Sequence, residues 1–71
     1  MAAKTVNAEV LVALINDLIE MEEQDAVWWE ASAKEALAAG RHVARQLQEQ
    51  RARACASNAR RLRHILELAA N

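Results

Sequence analysis

The sequence predicts an all-α fold, an antiparallel hairpin of two long helices that pairs with a second copy as a four-helix bundle. Three observations predict it. The 71 residues include no Pro, Tyr or Phe and seventeen alanines, so nearly every position favours helix and no β-rich run is present. The apolar residues keep helical phase over long stretches. The single glycine, Gly40, lies near the middle of the chain, where a folded-back chain would place its turn.

The first helix is expected over residues 8–39. Asn7 suits an N-cap, and Glu9 puts a negative charge in the first turn, where the helix dipole favours it. At about 100° per residue, Leu11, Leu14, Ile15, Leu18, Ala26, Trp29, Ala33, Ala36 and Leu37 share one face, which makes one helix of about 47 Å the simplest reading. The polar run Glu22-Glu23-Gln24-Asp25 is the alternative, because Asp25 can cap a new helix starting at Ala26. Gly40 can take the left-handed backbone conformation that ends helices. A second helix then spans 41–69 with an inner stripe of Val43, Ala44, Leu47, Ala54, Cys55, Leu62, Ile65, Leu68 and Ala69.

A turn centred on Gly40 sets residue i opposite residue 80 minus i. Leu14, Ile15 and Leu18 then meet Leu62, Ile65 and Leu66. The residues that interrupt the stripes also meet: Glu22 falls near Asn58 and Arg61, Asp25 near Cys55, Arg51 and Asn58, and Trp29 near Arg51, whose guanidinium can stack on the indole. Glu22, Asp25, Arg51, Asn58 and Arg61 therefore read as a polar layer that locks the register of the helices.

One seam cannot cover all the apolar surface. Val10, Val12, Ile19, Met21, Val27, Trp28 and Leu66 flank it and widen the apolar arc of the first helix to about 200°. A homodimer is the economical cover, since closed twofold dimers are the commonest oligomers. Trp28 and Trp29 lie about 100° apart on the helix, so one belongs to the core and the other to an interface.

The net charge of −1 conceals an asymmetry. Residues 1–35 hold eight acids and two bases, and residues 36–71 hold two acids and seven bases. Arg41, Arg45, Arg53, Arg60 and Arg63 form a basic stripe about 33 Å long on the second helix, a surface suited to phosphate. No helix-turn-helix, zinc finger or interleaved aromatics accompany it. Glu9, Asp17, Glu20, Glu23, Glu30 and Glu35 make the first helix acidic and suit a basic patch on another protein. Trp28, Glu20, Glu23, Arg53 and Arg60 are the candidate partner-binding residues.

Catalytic chemistry finds little support. His42 and Cys55 lie about 20 Å apart along one helix, and Cys55 and His64 point to opposite sides, so neither pair makes a nucleophile with its base. Di-iron bundles use Glu-x-x-His, and the nearest match, His64-x-x-Glu67, is reversed. No enzyme activity, metal or cofactor is expected. A lone cysteine excludes an intramolecular disulfide. The apolar runs fall far short of the roughly 20 residues that cross a bilayer, and residues 1–4 lack a signal-peptide block, so the expected location is the cytoplasm.

Two segments carry a resemblance. The opening Thr5-Val6-Asn7-Ala8-Glu9-Val10-Leu11-Val12-Ala13-Leu14 and the alanine-rich Ala31-Ser32-Ala33-Lys34-Glu35-Ala36-Leu37-Ala38-Ala39-Gly40 resemble the small helical accessory proteins of tailed bacteriophages and prophages, over about the first forty residues. The resemblance implies a protein made in the host bacterial cytoplasm that binds a host protein stoichiometrically and inhibits or modulates it, as anti-defence proteins do. The alternatives are a sequence-nonspecific nucleic-acid binder using the basic stripe and a structural subunit that assembles only with itself.

Overall fold

The computed structural model describes residues 7–70, in two helices, α1 (Ala8–Ala38) and α2 (His42–Ala70), packed against each other as a hairpin. Thr5, Val6 and residues 1–4 lie outside the described residues. Helix α1 begins as expected: the Asn7 side-chain oxygen accepts a hydrogen bond from the Glu9 backbone N–H at 2.8 Å. It then runs unbroken past Asp25. No break occurs there because Glu22 to Asp25 are all compatible with helix, and a flanking helix supplies packing throughout.

The turn is a Schellman motif built on Gly40. Gly40 has a φ of 72°, its N–H donates to the Leu37 carbonyl at 3.1 Å, and the Arg41 N–H donates to the Ala36 carbonyl at 2.8 Å. Two of the carbonyls that α1 would leave unpaired are thereby satisfied. Helix α2 starts at once, with the Arg41 carbonyl accepting from the Arg45 N–H at 3.0 Å. Arg41 offers no capping acceptor, and the first turn of α2 holds no acid.

The seam corrects the expected stripes. The face of α1 turned toward α2 is Ile15, Ile19, Glu22, Ala26, Trp29, Ala33 and Ala36, and that of α2 is Arg45, Gln48, Ala52, Cys55, Ala59, Leu62 and Leu66, all buried or half-buried. Both series step alternately by three and four residues, the heptad spacing that averages 3.5 residues per turn and lets two helices stay in contact by supercoiling. Leu11, Leu14, Leu18 and Leu37 of the expected α1 stripe are instead exposed, as are Val43, Leu47, Ala54, Ile65, Leu68 and Ala69 of α2. Ile19 and Leu66, expected at the flanks, lie in the seam.

Two physical reasons select this seam over the leucine-rich one. Alanine at Ala33, Ala36, Ala52 and Ala59 lets the helix backbones approach closely, so dispersion contacts form along the whole length. The neighbouring stripes would carry Asp25, Arg51, Asn58 and Arg61 into the middle of the contact, at the desolvation cost of charges taken out of water. The resulting core is thin. The buried side chains among the described residues are Ile19, Ala33, Ala36, Ala52 and Ala59, four of the five being alanine.

Candidate interaction surface

Each helix carries a second heptad stripe beside the seam. On α1 it is Leu11, Leu14, Leu18, Met21, Asp25 and Trp28, and on α2 it is Leu47, Arg51, Ala54, Asn58, Arg61, Ile65 and Leu68, with every member exposed. The two stripes lie on one broad face of the hairpin. Arg51 of the α2 stripe reaches over the Trp29 ring that Trp28 of the α1 stripe also touches, and Ser32 and Ala44 line one shallow groove nearer the turn. The opposite broad face is marked by the Glu23–Arg63 ion pair and by a groove of about 400 Å³ with an alanine floor and Glu30, Lys34, Glu49 and Arg53 on its rim.

The first face is apolar at the end away from the turn and polar at its centre. Leu14 is 53% exposed, Leu68 63% and Trp28 61%, whereas Ile19 in the seam is 4%. Contiguous uncovered apolar surface is unusual on a protein that stands alone.

The polar residues expected to form one layer divide between seam and surface. Glu22 is half-buried in the seam, close enough to Cys55 for its carboxylate to act on the thiol, while Asp25, Arg51, Asn58 and Arg61 stand exposed. Glu22 was expected opposite Asn58 and Arg61; the heptad seam rotates α2 so that Cys55 takes that place. Arg51 does stack on Trp29, its guanidinium carbon 5.0 Å from the ring centroid. Trp28 meets Trp29 edge to face, centroids 4.7 Å apart at 83°, so the half-buried indole holds the exposed one.

Partial burial pushes the Cys55 thiol up; the nearby Glu22 carboxylate and the charge of Asp25 push the same way, against a smaller opposing pull from Arg51. Such a thiol stays protonated and is a poor nucleophile. Among the described residues no three His, Cys, Asp or Glu side chains are gathered closely enough to hold a metal ion.

The candidate contact residues do not form one patch. Trp28 belongs to the exposed stripe of α1 and Glu20 lies on another side of that helix. Glu23 is engaged by Arg63 across the hairpin at 2.6 Å, and Arg53 rims the opposite groove. Of the arginine stripe, Arg45 pairs with both oxygens of Glu49 at 3.0 Å and Arg63 with Glu23. Arg41, Arg53 and Arg60 form no ion pair among the described residues. Two polar seam atoms near the turn, Arg45 Nε and Gln48 Oε1, are buried without a hydrogen-bond partner.

Sequence reasoning missed the second heptad stripe. The signal was present as the three-four spacing of Leu11, Leu14, Leu18 and Met21, which a 3.6-residue period merges with the seam. No helix among the described residues is long and apolar enough to cross a membrane. No known family profile, curated protein or solved structure matches the chain.

Proposed function

We propose that the protein is a stoichiometric protein-binding module of the phage accessory kind, which acts in a host bacterial cytoplasm by occupying a host protein and inhibiting or modulating it. It works as a homodimer in which two hairpins complete a four-helix bundle. The observation that carries this reading is the imbalance between a thin alanine seam and a broad face of exposed leucine, isoleucine and tryptophan. A core this small supplies only about 3–5 kcal/mol by itself, so covering that face stabilises the fold as well as joining partners. Self-association covers the leucine and isoleucine stripes of the face, and the part of the Trp28 indole left open at the edge of the dimer, with Glu20 on the acidic side of α1, receives the host protein.

Affinity capture of the tagged protein from bacterial lysate, with and without nuclease, tests the reading. The expected result is a stoichiometric host protein that survives nuclease and is lost with a Trp28→Ala variant that stays folded and dimeric. Retention of full affinity by that variant would remove Trp28 from the contact. A second reading rests on Arg41, Arg53 and Arg60, with which no carboxylate among the described residues forms an ion pair. It makes the protein a nonspecific nucleic-acid binder, with affinity falling steeply in salt, by a log–log slope of roughly −3 for three phosphate contacts on duplex DNA. Salt-insensitive capture would count against it.

A further inference from the structure

The exposed heptad face has the pattern of a self-complementary surface. Within the hairpin, residues level with each other have numbers that total about 80, as Trp29 and Arg51 do. If a second hairpin lies on this face with its turn at the same end, α1 of each copy rests on α2 of the other and the same rule holds between copies. Leu14 then meets Ile65 and Leu68, while Asp25 meets Arg51 and Asn58. If the turns lie at opposite ends, each helix rests on its own copy. The two Asp25 carboxylates then come within about 6 Å of the same level, and Leu14 faces Ser32.

Charge and apolar matching both favour the first arrangement. It sets the acidic first half of each chain against the basic second half of the other. The face measures about 47 Å by roughly 20 Å, or about 900 Å² per copy, comparable with the roughly 800 Å² per partner of a standard stable interface. We propose that a second copy of this chain covers the face in a twofold arrangement with both turns at one end, each Asp25 pairing with the partner's Arg51. This rests on the self-association proposed above and adds which face joins, in which orientation and through which ion pair. The polar residues at the centre of the face then fix the register, and the leucine and isoleucine ends supply the buried area.

Two charge-reversal variants of the full chain test it. Asp25→Arg alone and Arg51→Asp alone each set like charges across the twofold axis, and each should raise the dimer dissociation constant at least tenfold. Mixed in equal amounts they should form a heterodimer near wild-type affinity, because both intermolecular pairs become attractive. The charges within each hairpin are the same in homodimer and heterodimer, so intramolecular effects cancel in that comparison.

Spin labels at Arg41→Cys in a Cys55→Ala background read the orientation without altering the pair. They should lie within roughly 30 Å of each other, whereas turns at opposite ends would separate them by about 45 Å or more. A wild-type chain that stays monomeric would overturn the self-association itself. A dimeric wild type whose variants gain nothing on mixing, or whose labels lie far apart, would overturn this arrangement alone.

Discussion

Gly40 and Arg41 are neighbours whose replacement should act in opposite directions. Gly40 sits at a φ of 72° with nothing within 4 Å of a Cβ built there, so Gly40→Ala meets only backbone strain. The cost should be about 1–2 kcal/mol, read as a lower melting temperature at fixed protein concentration. Arg41 is the N-cap of α2, yet it offers no side-chain acceptor and places positive charge against the positive end of the helix dipole. Arg41→Asp should therefore stabilise by about 1 kcal/mol. A residue that breaks a local rule without compensation within the chain points to use at the surface, and the same substitution should weaken any binding to phosphate.

Cys55 gives a pH prediction at the same scale. Its thiol is raised in the folded chain, so above the ordinary thiol value the unfolded chain has released a proton that the folded chain still holds. The unfolded state binds fewer protons there, and stability falls as pH rises through that window. Urea melts at about pH 8 and about pH 10 should show this fall, and Cys55→Ala, which has no thiol to ionise, should show a smaller one. An equal fall in both proteins would mean that the Glu22–Cys55 contact does not shape the titration.

At the scale of the helices, the seam and the exposed face should respond differently to size. Ala52→Leu or Ala59→Leu forces a large side chain between closely packed backbones and should destabilise by about 1–3 kcal/mol. Leu47→Ala removes an exposed side chain and should leave the hairpin seam intact while weakening association between copies. Denaturation combined with sedimentation separates the two effects. Much of this level was legible in the sequence: Asn7 as the cap, Gly40 as the turn and Arg51 over Trp29 all follow from residue type and spacing. The choice of seam was not, because leucine outranks alanine in hydrophobicity and a 3.6-residue period cannot separate two adjacent heptad stripes. Close backbone approach and the cost of burying Asp25 and Arg51 decided it, and both are properties of the pair of helices rather than of either one.

On the scale of the whole molecule, the hairpin is a slab one helix thick, with a core of four alanines and one isoleucine. A charge asymmetry along the chain lies over an apolar face that its own helices leave open. In the proposed assembly this hairpin is half of a folded unit, and sedimentation equilibrium of the full chain across a range of concentrations tests that most directly. The predicted result is a species of twice the 7.9 kDa chain mass that dissociates on dilution with loss of helicity. A single-chain mass throughout, with full helicity retained, would contradict it.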